Sequence, residues 1–206
     1  MLKIWGRRNS MNVQKVLWAV DELELAHEQA DAGLQYGVVG EDWFQSINPN
    51  RTVPVIEDAG FVVWESNAIL RYLAAKYSLD DLMPSDLRQR TTADMWMDWQ
   101  QATIMPWLGP LFLGLIRTKP EERDQALLTS AAEAVEKALR ILDGHLHKYP
   151  NVAGDRFTVA DMPLGCVAYR WYALDVTHPE LPKLRAWYER LCERPAFARH
   201  VMTPLV

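Results

Sequence analysis

Three short stretches in the first third of the chain carry groups suited to holding a small anionic ligand. The first is Arg7-Arg8-Asn9-Ser10, a polar, basic run directly ahead of helical spacing that begins at Met11. A helix N-terminus leaves backbone N–H groups open and carries the positive end of the helix dipole. A hydroxyl there, that of Ser10, can donate a hydrogen bond to a bound thiolate. A thiol of pKa about 8.5 is only about 3% ionised at pH 7, whereas one lowered to about 6.5 is about three-quarters ionised. Those two units are about 2.7 kcal/mol, within reach of a charge-assisted hydrogen bond plus a helix dipole. A plain helix cap also accounts for this serine.

The second stretch is Val53-Pro54, at the head of a β-branched run ending at Ile56. Proline has no N–H to give a ladder, so at a strand's start it marks a sheet edge or a cis bond. A cis bond would turn the N–H and C=O of Val53 outward, where an extended peptide could pair with them. A trans proline at an edge is the alternative. The third is Glu65-Ser66, which follows the apolar run Phe61 to Trp64 and opens another helical segment. Helix N–H groups and a Ser hydroxyl suit a carboxylate, and Glu65 suits an amine, so together they suit a free amino acid end. An N-cap with an acidic first turn explains the pair equally.

The elements that position these groups follow from periodicity. Residues 2 to 5 read as a strand and Gly6 to Asn9 as a loop. From Met11, Val13, Val16, Leu17, Val20 and Leu23 predict a helix with one buried face, capped by Asn9 or Ser10. An extended stretch at His27 to Ala30 completes a βαβ unit with parallel strands and a right-handed crossover. After a loop over 31 to 39, Glu41 to Ile47 fits one or two helical turns. Strand, acidic turn (Glu57, Asp58, Gly60), strand and helix follow, the last burying Ile69, Tyr72, Leu73 and the stem of Lys76. The order β-α-β-α-β-β-α predicts an α/β domain with a small mixed sheet. Residues 78 to 88 are acidic with one proline and read as a linker.

Beyond the linker the strand signal ends. Residues 89 to 117 predict a long helix kinked or ended by Pro106 and Pro110, and Pro120 suits the first turn of the next. Ala131, Ala134, Val135, Ala138, Leu139, Leu142 and Leu146 form its apolar stripe. Thr158-Val-Ala-Asp161 resembles a capping box, with Phe157 and Met162 placed for a hydrophobic staple. Helices are expected over 159 to 174 and 182 to 193.

The composition is that of an ordinary globular protein: 206 residues, 49% apolar, net charge −5 and no basic block, which argues against nucleic acid as a partner. No apolar run approaches the roughly 18 residues of a membrane span, and no signal-peptide pattern opens the sequence. The expected compartment is the cytoplasm. Cys166 and Cys192 are far apart and lack metal-ligand spacing, and His145 and His147 point in different directions on a helix, so no metal site is expected. Most of the nine tryptophans are expected in the core.

Jointly, NPNRTVPVIEDAGFVVWESNAILRYL (48–73), GDRFTVADMPLG (154–165), the order of elements and the helical second half resemble cytosolic glutathione transferases. Within that family the chain is similar to bacterial, serine-type, theta- and nu-like members. The resemblance covers essentially the whole chain. It implies an α/β thioredoxin-like N-terminal domain (1–80) with a mixed four-stranded sheet, a linker (81–87) and an all-α C-terminal domain (88–206). It implies glutathione as co-substrate, no metal, a small hydrophobic electrophile as acceptor, and a homodimer. Val53 would pair by backbone with the cysteinyl part of glutathione, with Pro54 cis, and Glu65 and Ser66 would hold the γ-glutamyl end.

Ser10 falls where serine-type members keep the activating hydroxyl. Asn12 is a rival, because Ser10-Met11-Asn12 resembles the Thr-Pro-Asn arrangement of members related to disulfide reductases. No tyrosine precedes Tyr36, and no cysteine lies in the first loop, so tyrosine activation and a protein mixed disulfide are excluded there. Arg51-Thr52 departs from the family's Gly-Lys or Gly-Gln. Thr52 offers a shorter side chain to the glycyl carboxylate, and Arg51 either supplies the charge or is a surface residue. In the second domain Trp96, Gln100, Thr103 and Trp107 share one expected helix face. Met105 or Trp107 would line an apolar acceptor cleft, with Tyr169 or Tyr172 opposite, although a tryptophan stripe also suits a core or a subunit contact. Three functions remain open at this level. The first is conjugation, the second disulfide reduction or peroxidase chemistry with two glutathiones, and the third a non-catalytic binding role.

Overall fold

A computed structural model describes residues 1–206. The chain forms two compact units. One comprises Met1–Met83 with Ala196–Thr203, the other Pro84–Pro195 with Pro204–Val206. Residues 196 to 203 therefore pack with the N-terminal unit, although the sequence reading assigned them to the second domain.

In the first unit, strands β1 (Leu2–Trp5), β2 (His27–Ala30), β3 (Val55–Asp58) and β4 (Phe61–Trp64) form one sheet in the order β2-β1-β3-β4. β1 and β2 are parallel, and β1–β3 and β3–β4 are antiparallel. Helix α1 (Met11–Glu22) makes the crossover between β1 and β2, α2 (Asp42–Ile47) precedes β3, and α3 (Ser66–Tyr77) follows β4. Alternation along the strands divides the core. Leu2, Ile4 and Ile56 pack with Val13, Val16, Leu17 and Val20 of α1 and with Ile69 and Leu73 of α3. On the other face Val55, Ala32 and Phe44 of α2 form a smaller cluster bordered by Trp5 and Val53.

Helix α1 is not half-exposed, as its stripe predicts: Met11, Gln14, Lys15 and Trp18 are buried too. Part of the cover is a short helix, α9 (Pro195–His200), that the sequence reading did not include. Phe197 meets Trp18 edge-on at 4.8 Å, Gln14 donates to Thr203 at 2.9 Å, and Arg199 and His200 reach Asp21.

The second unit contains α4 (Leu87–Trp99), α5 (Met105–Phe112), α6 (Gln125–Leu146), α7 (Asp161–Ala173) and α8 (Pro182–Cys192). Pro106 and Pro110 do not end the helix. Pro106 stands in the first turn of α5, where its missing N–H is not needed, and a π-turn over Gln100–Ile104 widens the chain just ahead of it. That turn also breaks the expected stripe. Gln100 is buried, Thr103 is exposed and Trp107 is 41% exposed, so the four residues do not share a face. Pro120 opens a single 3₁₀ turn rather than the long helix, which is capped by the Asp124 carboxylate accepting from the Leu127 N–H. The stripe of α6 is buried as its period predicts, apart from the half-buried Ala134. Of the nine tryptophans only Trp18, Trp171 and Trp187 are fully buried, and Trp43, Trp64 and Trp107 are exposed. An indole needs an acceptor for its N–H, which favours the boundary of a core over its centre. No helix is long and apolar enough to cross a membrane.

Candidate active site

At the end of β1 the chain must turn sharply into α1, and Gly6 allows it. A Cβ there would meet a methyl of Val13 at 2.4 Å and Val53 at 3.4 Å. The loop thus starts close beside Val53 of the second candidate stretch. Ser10 is the N-cap residue of α1, in extended conformation, and its carbonyl accepts the first helical bond from Gln14. Its side chain makes no cap hydrogen bond, so the hydroxyl is not spent on the helix. In contrast, the Asp86 and Asp124 carboxylates cap α4 and α6.

Asn12, two residues on, faces α3: the Ser66 hydroxyl donates to its Oδ1 at 3.3 Å. The same hydroxyl oxygen accepts from Lys15 Nζ at 3.3 Å, and Asn67 Oδ1 accepts from that ammonium at 3.5 Å. Lys15 is fully buried, as no sequence pattern suggested, because a lysine off the apolar stripe reads as solvent-facing.

The Val53-Pro54 peptide bond is cis. Asn48, 1% exposed and not singled out in the sequence, shapes the loop ahead of it. Its amide donates to the Thr52 carbonyl at 2.9 Å, and its Oδ1 accepts from the Asn50 N–H at 3.0 Å. An asparagine opening Asn-Pro-Asn is the turn signal that could have found it. Thr52 and Arg51 are exposed, Arg51 at φ 54° with its guanidinium donating to Gln45 Oε1.

Glu65 precedes α3 at φ 68°, a conformation few non-glycine residues adopt, and makes no cap bond of its own. The first helical bond of α3 is Ile69 N–H to Glu65 C=O, so the N–H groups of Ser66, Asn67 and Ala68 have no helical partner. The hairpin that delivers Glu65 is anchored at its far end. Asp58 Oδ2 accepts from Lys76 Nζ at 2.7 Å, from the Tyr77 hydroxyl at 2.7 Å and from the Tyr72 hydroxyl at 2.9 Å. Burial pushes the Asp58 carboxyl up, but these donors outweigh it and hold its pKa below the ordinary value.

The three second-unit residues expected to line an acceptor cleft are less concentrated. Trp107 is exposed, and Met105 and Tyr169 are half-buried. Burial pushes the Tyr169 hydroxyl above its ordinary pKa. Tyr172 is engaged in the helical core, with the Arg185 guanidinium 3.6 Å from its ring centre and the Tyr188 ring tilted against it at 5.0 Å. A cleft of about 790 Å³ in this unit, lined by Arg88, Met95, Trp96, His145, Tyr149 and Arg156 among others, takes in Trp96 but none of Met105, Trp107 and Tyr169. Asp161 is structural. Its Oδ2 accepts the Thr158 N–H at 2.9 Å, as a capping box requires, and its Oδ1 accepts from the Val152 N–H at 3.0 Å and the Trp187 indole at 2.9 Å. No group of three or more His, Cys, Asp or Glu side chains is placed to hold a metal ion.

Comparison with known proteins agrees with this architecture. Residues 1–75 match the family model for the glutathione S-transferase N-terminal domain, and residues 103–195 match that for the C-terminal domain. Glutathione S-transferase GstB of Escherichia coli is 39% identical, over the full length of both chains. Glutathione S-transferase 3 of Zea mays is 30% identical, with 97% of this chain and 93% of the relative covered. Among solved structures, the theta class glutathione S-transferase of Xanthomonas axonopodis pv. citri with glutathione bound superposes with a TM-score of 0.96 at 41% identity. That match covers 100% of this chain and 99% of the other. With both halves of the chain matched in register and a relative aligned end to end, the chain belongs to the glutathione S-transferase family.

Proposed function

We propose that the chain binds glutathione on its N-terminal unit and transfers the glutathione thiolate to small hydrophobic electrophiles. Val53 pairs by backbone with the cysteinyl residue, the N-terminus of α3 with Ser66 and Glu65 takes the γ-glutamyl end, and Arg51 and Thr52 lie toward the glycyl end. Ser10 holds the sulfur as thiolate, and Asn12 belongs with the γ-glutamyl side through its bond to Ser66. In the reaction the thiol proton leaves to solvent, a new C–S bond forms to the electrophile, and its leaving group departs with the electron pair of the broken bond. An addition substrate instead takes up a proton. The protein forms no covalent intermediate; it ionises and positions the sulfur. Met105, Trp107 and Tyr169 line the acceptor side. The working assembly is a homodimer in the cytoplasm.

The observation that carries this reading is the Ser10 hydroxyl, which stands at the open N-terminus of α1 and makes no cap bond there. Ser10→Ala, which leaves the helix dipole in place, should raise the pKa of enzyme-bound glutathione by about 1.5 units, read from thiolate absorbance against pH. At pH 7 the ionised fraction, and with it kcat/KM for an aryl halide, should fall about eightfold. An unchanged titration would move the role to Asn12 or to the backbone N–H groups of α1.

A further inference from the structure

Asn48 is buried, and its main chain and side chain are both engaged. Its N–H donates to the Phe44 carbonyl at 2.9 Å, closing α2, and its own carbonyl accepts from the Arg51 N–H at 3.1 Å. Its side-chain amide reaches across the loop. Nδ2 donates to the Thr52 carbonyl at 2.9 Å, while Oδ1 accepts from the Asn50 N–H at 3.0 Å. A main-chain N–H can only donate and a carbonyl can only accept, so one orientation of the amide satisfies both. The carbonyl held in this way belongs to the Thr52–Val53 peptide unit, whose N–H is that of Val53. The cis bond of the chain is the next one, Val53-Pro54, so this unit is trans. A trans unit directs its C=O and its N–H to opposite sides. With the carbonyl drawn to the buried Asn48, the Val53 N–H points away from it. The chain itself does not take that N–H up: β3 pairs with β1 from Val55 onward, and no loop bond includes Val53.

We propose that Asn48 is a positioning residue for glutathione, which presets the Val53 N–H toward the carbonyl of the cysteinyl residue. This rests on the pairing of Val53 with the cysteinyl backbone proposed above. The neighbouring parts of the loop are already fixed. Val53 packs its side chain against both core clusters of the unit, and Pro54 is buried behind it. The freedom that remains is rotation of the Thr52–Val53 plane between these anchors, and the Asn48 bond removes it. Glutathione then meets a donor already aimed and spends no binding energy on ordering it. Asn48 touches no reacting atom, so its effect falls on glutathione binding and not on the chemical step.

The test uses Asn48→Ala, which keeps the main-chain bonds to Phe44 and Arg51 and removes the amide. Two ligands are compared by calorimetry: glutathione, and its isostere in which an (E)-alkene replaces the cysteinyl–glycyl amide, so that the shape stays and the carbonyl is gone. The variant should bind glutathione about tenfold more weakly than the unaltered protein, with the matching rise in KM for glutathione and kcat within about twofold. The isostere should bind both proteins equally. Equal losses for both ligands would mean that Asn48 only holds the loop together, and no loss for either would mean that the Val53 N–H needs no guidance; both results overturn the proposal. The isostere on the unaltered protein is the control for the underlying placement, and it should bind more weakly than glutathione. If it does so but the variant treats both ligands alike, only the role of Asn48 is wrong. If it binds as well as glutathione, the pairing of Val53 with the cysteinyl carbonyl is wrong and the proposal falls with it. Should Asn48→Ala not fold, the amide resonances of the unaltered protein decide. On adding glutathione the Val53 N–H resonance should move while those of the Asn48 side-chain amide stay, because that bond is already made. Asn48 resonances that move with it, or a Val53 resonance that stays, would refute the proposal.

Discussion

Replacing Asp161 by alanine should destabilise the helical unit without altering glutathione affinity. The carboxylate is fully buried, and three N–H groups on separate segments converge on it: Val152 at 3.0 Å, Thr158 at 2.9 Å and the Trp187 indole at 2.9 Å. Burial pushes the Asp161 carboxyl up, against the pull of these donors, so it is held by hydrogen bonds rather than by an ion pair. Alanine leaves each donor buried and unpaired at about 1–2 kcal/mol apiece, or roughly 3–6 kcal/mol together. Against a domain stability of about 5–15 kcal/mol this is a large fraction. Two units need not unfold together, so the measurement is urea unfolding followed at once by far-UV circular dichroism and by tryptophan fluorescence, to which Trp187 contributes. Asp161→Asn keeps one acceptor oxygen but turns an NH₂ toward one of the donors, and should lose about half as much. Glutathione binding, measured where the variant is still folded, should be unchanged. A loss under about 1 kcal/mol for Asp161→Ala would refute the reasoning, because three buried donors would then have found other partners at no cost.

Two pH effects follow from the same geometry. The depressed pKa of Asp58 gives stability that is present above its ordinary value of 3.8 and lost as pH falls through the lower folded value. Asp58→Asn should therefore lower stability at neutral pH and flatten its decline in acid, as measured by urea midpoints from pH 7 to pH 3. His145 and His200 are displaced below 6.5, mainly by burial, so below that pH the unfolded chain takes up more protons than the folded one. Stability should fall as pH drops below 6.5, and His145→Gln should reduce that slope in the helical unit; an identical pH profile would contradict it.

The N-terminal unit was legible because its signals are local. The period-two and period-3.6 runs and the turn at Asp58 to Gly60 each determine an element within a few residues, and β2, β4 and the start of α3 lie where those runs predict. What escaped was non-local. Lys15 looks like a surface lysine until α3 is laid against α1, and Asn48 looks like one more turn residue until its amide is seen to hold Thr52. The packing of Phe197 on Trp18 joins residues 179 positions apart, and no window of sequence contains both. The prolines misled for another reason. Pro106 falls in the first turn of α5 and Pro110 stands inside it, with π-turns over Gln100–Ile104 and Leu113–Arg117 on either side, and composition does not distinguish a broken helix from a widened one.

The candidate site itself turns on a distinction that the sequence left open, whether a serine at a helix start is a cap or a reagent. The structure permits a comparison within one chain. At α4 and α6 the N-cap aspartates accept from the N–H three residues on, and at Thr158 the acid three residues later, Asp161, returns the bond to the Thr158 N–H. The residue three after Ser10 is Val13, which has nothing to return, and the serine's own side chain makes no cap bond. Glu65 likewise makes no side-chain cap bond at the start of α3. The starts of α2, α7 and α8 lack a side-chain cap bond as well, so a missing cap does not by itself mark a site. What sets α1 and α3 apart is that their first turns are joined to each other through the Ser66–Asn12 bond, which brings together the two helix N-termini that the proposed function assigns to the thiolate and the carboxylate.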